Sequence, residues 1–210
     1  MVSVFAFDMA ELVYVQDGPE AHQIASVIPY YPFHGVPRFY DISGMLSDPA
    51  AFQLCIDVFV KRYKDLNVDC IAGLDARGFV LGPPIALALK KPFVMVRKVG
   101  KLPNALTGAE YFKEYEGAQV GGGDQLCISK KAVQPGNRVL VIDDLVATGG
   151  TLIASCDILK QAGAVIVECA CIVELKMLGG YAKLQTKHPE VKVWGLISED
   201  ILQLEGKADA

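Results

Sequence analysis

The sequence lacks the marks of several protein classes. Its 20 Lys and Arg are outnumbered by 24 Asp and Glu, a formal charge of −4, so no overall field draws the chain to nucleic acid or to an anionic membrane. Any attraction for phosphate must be local. No charge-free run reaches the ~18 residues that a membrane-spanning helix needs. The N-terminus includes Asp8, Glu11, Asp17 and Glu20 and has no basic start, which argues against a signal or transit peptide. Ala208-Asp209-Ala210 is not a peroxisomal address. Cys55, Cys70, Cys127, Cys156, Cys169 and Cys171 form no Cys-x-x-Cys pair, and no histidine stands at zinc-ligand spacing from them. They read as reduced, buried core thiols, and a soluble protein of the cytoplasm is expected.

Two common nucleotide signatures are also missing. A Walker-type loop needs a Gly-Lys-Ser/Thr ending, and a dinucleotide site needs Gly-x-Gly-x-x-Gly between a strand and a helix. Gly121 to Gly123 is no substitute, since it neither follows a buried strand nor opens a helix, and it reads as a turn.

What is present is a core. At 210 residues and 52% hydrophobic composition, the chain is long enough for one substantial domain and too short for two ordinary ones. The stretch up to about Tyr31 has no firm period, and with Pro29, Pro32 and Pro37 it predicts an irregular N-terminal region over about 1–45. Ser47-Asp48-Pro49 predicts a helix start, followed by Phe52, Cys55, Ile56, Phe59, Val60 and Tyr63 at helical spacing. Short apolar runs then alternate with helical stretches. Strands are predicted at Cys70–Leu74, Phe93–Val96, Arg138–Ile142, Val165–Ile172 and Val191–Ile197, and helices at Phe79–Leu89, Thr151–Ala162 and Lys176–Lys187, with Gly163 as a stop. This is the pattern of an α/β, doubly wound, mostly parallel sheet flanked by helices. The periodless segment at about 101–123 is long enough to be a lid or binding loop, with room for a short hairpin around Tyr111–Glu116.

Residues 138–151 read RVLVIDDLVATGGT: a buried-type strand, two aspartates, then glycines opening a helix. In an open α/β sheet, the carboxyl end of such a strand is where ligands bind. Glycines let amides turn towards a phosphate, and a helix N-terminus adds its positive dipole end. Asp143 and Asp144 would repel a bare anion. They fit a ligand that also offers hydroxyl donors beside its phosphate, as ribose 5-phosphate does, with the hydroxyls on the carboxylates and the phosphate on Ala147, Thr148, Gly149, Gly150 and Thr151. Arg77 follows one strand, and Arg97, Lys98 and Lys101 follow another, so all four could converge on the same sheet edge.

Val141 to Thr151 closely resembles the phosphoribosyl pyrophosphate motif of the type I phosphoribosyltransferases. Gly73 to Phe79, Val96 to Pro103 and Tyr111 to Tyr115 are similar to the adenine phosphoribosyltransferase family, so the resemblance covers roughly residues 30 to 200. It implies transfer of a phosphoribosyl group from phosphoribosyl pyrophosphate to adenine, giving AMP and pyrophosphate, and a homodimer without nucleic acid or membrane partners. It further implies Mg2+ held mainly by substrate and water, with no protein metal site. By the same resemblance, Arg77, Arg97, Lys98 and Lys101 hold pyrophosphate, and Glu114 of a mobile catalytic loop (about 101–123) manages the purine proton. Val36, Arg38, Phe39 and Leu145 form the adenine site, and the Asp75-Ala76 peptide is cis. Many members read Phe-Arg-Asp after the Gly-Val of the N-terminal region, whereas this chain has Pro37-Arg38-Phe39-Tyr40-Asp41. Hypoxanthine-guanine relatives carry a lysine on the strand after the motif helix; here Val165 to Leu175 contains Glu168 and Glu174 but no lysine. Two other readings stay open at this point: a different base, or a nucleic-acid-binding regulator that keeps the pocket without catalysis.

Overall fold

The structure, a computed structural model, describes residues 14–33, 36–111 and 124–206. Its centre is a parallel sheet of β3 (Cys70–Leu74), β4 (Phe93–Lys98), β7 (Arg138–Val146), β8 (Val165–Glu174) and β9 (Val193–Ser198). β3 is buried at all five residues, which is why it reads as a continuous apolar run instead of an alternating one. On the outer side of β4, β5 (Ala105–Tyr111) and β6 (Asp124–Ser129) add antiparallel strands, giving the order β5-β6-β4-β3-β7-β8-β9.

Helices cover both faces. α1 (Pro19–Ala25), α2 (Ser43–Ser47), α3 (Pro49–Tyr63) and α4 (Gly78–Ala88) pack into one core around Ile24, Met45, Phe59, Ile85 and Leu140. α5 (Gly150–Gln161) and α6 (Gly180–Lys187) close the other, around Leu152, Ile158, Val141 and Leu184. The doubly wound α/β expectation therefore holds. α3 begins as its sequence predicts: the Asp48 carboxylate accepts from the N–H groups of Ala50 and Ala51 at 2.9 and 3.2 Å, and Pro49 occupies the first turn. α5 ends at Gly163, whose φ of +89° suits a residue without Cβ.

Several boundaries differ from expectation. The N-terminal region is not all loop: α1 is followed by a hairpin of β1 (Tyr30–Phe33) and β2 (Val36–Tyr40), paired antiparallel with Tyr31 opposite Phe39. These elements are too short to show a period, and burial of Ala21, Ile24 and Ala25 against the rest of the core supplies what propensity does not. β7 and β8 run four and two residues beyond the predicted ends, to Val146 and Glu174, so Asp143 and Asp144 lie within a strand and not after it. α6 starts at Gly180, not Lys176: the Glu199 carboxylate accepts from the amides of Lys176 and Met177, each at 2.9 Å, and binds that segment into a separate short turn. The antiparallel pair of Ala105–Tyr111 with Asp124–Ser129 lies across the segment expected to be irregular, while 112–123, with the predicted hairpin tip and Gly121 to Gly123, lie outside the described residues.

All six cysteines are free and buried. Burial pushes the Cys55 thiol up to about 12 and the Cys70 thiol to about 11, which leaves them as unreactive core groups. A charged cluster sits in the first core as well. Arg62 and Glu168 are only 6% and 7% exposed, and Arg62 donates Nε and Nη2 hydrogen bonds to Glu168 at 3.0 and 2.9 Å. The Tyr63 hydroxyl adds a 2.7 Å bond to the same carboxylate, and the guanidinium lies 4.4 Å from the Trp194 ring centroid.

Candidate active site

β3 has β4 on one side and β7 on the other, so the direction of winding reverses there and a crevice opens beyond the strand ends. A cleft of about 200 Å³ occupies that position, lined by the turn after β3, the end of β7 and the segment leading into α5. The turn carries a cis Asp75-Ala76 peptide bond, as the family resemblance implied.

Asp144 is 5% exposed and Asp143 half-buried. The Asp144 backbone N–H donates to the Asp143 carboxylate at 2.9 Å, which holds the Asp143 side chain against the following peptide. Burial, followed by the neighbouring Asp144 charge, pushes the Asp143 carboxyl well above the usual range. Burial also raises Asp144, against the opposing pull of Arg77. The Arg77 guanidinium approaches Asp144 Oδ2 to 2.9 Å. No N–H is aligned on that oxygen, which is buried and has no hydrogen-bond partner; an acceptor is left for a hydroxyl donor.

The α5 end of the cleft offers the opposite charge. Gly149, at φ +80°, is the N-cap, and no side chain caps the helix, so the first-turn amides carry the unpaired partial positive charge of a helix start. Ala147, Thr148, Gly149 and Thr151 line the cleft, and Gly150 opens the helix behind them. An anion fits this end and hydroxyl groups fit the Asp143-Asp144 end.

The remaining cations meet at the same edge through carboxylates. Arg97 Nε lies 3.0 Å and Lys101 Nζ 3.7 Å from Asp75 Oδ2, and Lys98 Nζ lies 2.7 Å from Asp124. Arg77, Lys98 and Asp75 line the cleft; Arg97 and Lys101 are tied to its wall by Asp75. Asp75 as a shared anchor was not foreseen, and neither was Tyr111, which lines the cleft from the end of β5. The Asp directly before Ala76-Arg77 was a signal for the first; nothing local marks the second.

Of the residues expected at the base, Leu145 lines the cleft. Phe39 is tied to it indirectly: the Arg77 guanidinium carbon lies 5.4 Å from the Phe39 ring centroid, and Phe33 packs on the same ring at 5.1 Å. Val36 and Arg38 are not brought to the cleft wall; Val36 is exposed, and Arg38 stacks on Tyr30 at 4.9 Å. Glu114 lies outside the described residues.

Residues 43–204 match the phosphoribosyl transferase domain. Adenine phosphoribosyltransferase 2 of Arabidopsis thaliana is 50% identical over 161 residues, which is 77% of this chain and 80% of the relative. The chain belongs to the adenine phosphoribosyltransferase family. A bacterial adenine phosphoribosyltransferase, from Burkholderia pseudomallei, is 46% identical over 164 residues, 78% of this chain and 84% of its own length. The adenine phosphoribosyltransferase of Trypanosoma brucei, whose crystal structure is in complex with AMP, pyrophosphate and ribose-5-phosphate, superposes with a TM-score of 0.84 at 30% identity, covering 95% of this chain and 90% of that one. As a member of this phosphoribosyltransferase family, the chain is an enzyme. Its uncapped α5 start, the Asp143-Asp144 pair, Arg77 and Lys98 line one cleft at the switch point.

Proposed function

We propose that the chain transfers the 5-phosphoribosyl group from phosphoribosyl pyrophosphate to adenine, giving AMP and pyrophosphate in purine salvage. One observation carries the reading: a carboxylate pair, Asp144 buried and Asp143 half-buried, adjoins an uncapped helix N-terminus in a single cleft also lined by Arg77 and Lys98. A site of that polarity suits a ligand with hydroxyls at one end and phosphate at the other. The 5′-phosphate goes to the amides and hydroxyls of Ala147 to Thr151, and the ribose hydroxyls to Asp143 and Asp144. Pyrophosphate goes to Arg77, Arg97, Lys98 and Lys101, whose forks and point charges suit phosphate oxygens.

As the bond at the anomeric carbon breaks, positive charge grows on the ribose, and the ionised forms of Asp143 and Asp144 stabilise it. Phe39 and Leu145 flank the base, with backbone groups of Val36 to Phe39 meeting its edge, and Glu114 manages its proton. Magnesium would be held mainly by substrate and water oxygens, the shell this ion prefers, and would there neutralise charge on the departing pyrophosphate.

The same reading takes the chain as one domain, with an N-terminal base-binding region over about 1–45 and a catalytic loop over about 101–123. A cytoplasmic homodimer goes with it. Val80 and Leu87, seven residues apart on one side of α4, are 40% and 80% exposed, an apolar face that a second copy would cover. Among the described residues no helix is long and apolar enough to cross a membrane. Pyrophosphate release on mixing the protein with adenine, phosphoribosyl pyrophosphate and magnesium tests the reaction. A regulator that only binds would release none.

A further inference from the structure

Behind the segment that leads into α5, a second stretch of backbone touches it. Gly179 is left-handed at φ +67°, and Gly180 opens α6. A Cβ on Gly180 would fall 2.3 Å from the Ala147 carbonyl oxygen and 2.9 Å from the Gly149 nitrogen. The reverse holds too: a Cβ on Gly149 would fall 2.7 Å from the Gly180 carbonyl oxygen. Every one of these neighbours is backbone, so none can rotate away. The stretch is itself anchored, because the Leu175 amide donates to Val146 at 2.9 Å and Glu199 accepts the next two amides, of Lys176 and Met177.

We infer that Gly180 is a positioning residue for phosphate binding: its bare backbone, held by the Glu199 clamp, sets the distance at which Ala147 to Gly149 present their amides to the 5′-phosphate. The inference rests on the reading of Ala147 to Thr151 as the phosphate site. Hydrogen-bond strength to an anion falls steeply with distance and angle, so the shift of roughly 0.7 Å or more that a Cβ 2.3 Å from the Ala147 oxygen would force acts directly on phosphate affinity. Glu199 works at one remove, by keeping the segment that carries Gly180 against the loop.

Calorimetric titration of the full chain with AMP and with adenosine separates this from a general structural role. Gly180→Ala is expected to melt lower and, in the folded protein, to weaken AMP binding tenfold or more while leaving adenosine binding within twofold. Glu199→Gln, which keeps only one of the two acceptor oxygens, is expected to weaken AMP severalfold with adenosine again unchanged. Equal loss of both ligands, or no loss of AMP, in Gly180→Ala overturns the inference. Should that variant fail to fold, unchanged AMP affinity in Glu199→Gln overturns it instead. Thr151→Val reads the underlying site separately: if it leaves AMP affinity intact, the phosphate assignment itself fails, whereas AMP loss in Thr151→Val alone condemns only the role of Gly180.

Discussion

Arg77 bridges the two halves of the cleft: its guanidinium is 2.9 Å from the Asp144 carboxylate and 5.4 Å from the centre of the Phe39 ring. One side chain thus balances the acidic pair and covers the Phe39 ring. On the proposed reading, a bound pyrophosphate would draw Arg77 off both. Arg77→Gln removes the charge and leaves Asp144 buried without a counter-ion. Because the Arg77 side chain is 41% exposed, the stability loss is discounted from that of a fully buried pair to about 1 kcal/mol. The kinetic loss is larger: kcat/KM for phosphoribosyl pyrophosphate is expected to fall on the order of tenfold or more. Urea denaturation beside steady-state kinetics measures both, and unchanged kinetics would remove Arg77 from the site.

The acidic pair sets activity against stability. Burial and mutual repulsion raise the folded-state Asp143 carboxyl above its unfolded value. A group raised in this way contributes stability that is complete below the unfolded pKa and is lost as pH rises through the folded pKa. Once pH exceeds that folded value, the native protein carries an ionised, poorly solvated carboxylate that Asp143→Asn does not. The variant is expected to gain in melting temperature relative to the native chain as pH rises through the folded Asp143 value, a margin that shrinks on acidification, while kcat/KM falls by on the order of a hundredfold. Thermal scans across pH, with kinetics, test both halves; a variant that melts lower and works normally would contradict each.

The sequence announced the centre of this molecule better than its edges. Strands such as Cys70–Leu74 are buried on both faces, so composition alone marks them, and Asp48-Pro49 is a local signal that needs no tertiary help. The acidic pair and the Gly-Gly turn were legible because the chemistry is contiguous in the chain. Asp75 holding Arg97 and Lys101 was not, since the partners are at least 22 residues apart and meet only when β3 and β4 pair. Glu168 was legible only as a strand residue that is not lysine. Its ligation by Arg62, 106 residues away, depends on the packing of α3 against β8.

That buried pair gives a stability prediction independent of the active site. Glu168→Ala strands the Arg62 guanidinium in a core where it is 6% exposed, which is expected to cost about 3 to 5 kcal/mol. Replacing both residues by apolar ones, Arg62→Met with Glu168→Leu, should cost much less, because no charge remains to be desolvated. Denaturant titration of the single and double variants decides the matter, and equal losses would show that shape and not charge dominates.

Glu114 is expected to act on rate and not on binding. If it manages the proton of the purine as the base becomes bonded to ribose, Glu114→Ala lowers kcat and largely spares the dissociation constant of phosphoribosyl pyrophosphate. Single-turnover rates together with direct binding measurements separate the two. Loss of binding at unchanged kcat would make it a structural residue.

Base choice follows from what the cleft can accept. A 6-oxopurine needs a donor opposite its oxygen. The strand after the motif helix offers none: Val165 to Leu175 contains no lysine, Glu168 is consumed by Arg62 and Tyr63 in the opposite core, and Glu174 accepts from Gln16 at 2.8 Å. Adenine presents an amino donor in place of that oxygen. In the proposed base site, backbone carbonyls of β2, a strand held in register against β1 with Tyr31 opposite Phe39, would accept from it, and Pro37 restrains the course of the chain there. Hypoxanthine would turn its carbonyl oxygen towards those same acceptors, leaving them desolvated and unpaired. Mismatches of that kind discriminate by roughly 10⁴-fold, well beyond what a difference in pocket shape provides. Adenine is therefore expected to be preferred to hypoxanthine and guanine by at least about a thousandfold in kcat/KM. Steady-state rates with each base, at fixed phosphoribosyl pyrophosphate and magnesium, measure the ratio. Comparable rates with hypoxanthine would refute this account of base selection and leave the roles of Asp143, Asp144 and the α5 N-terminus untouched.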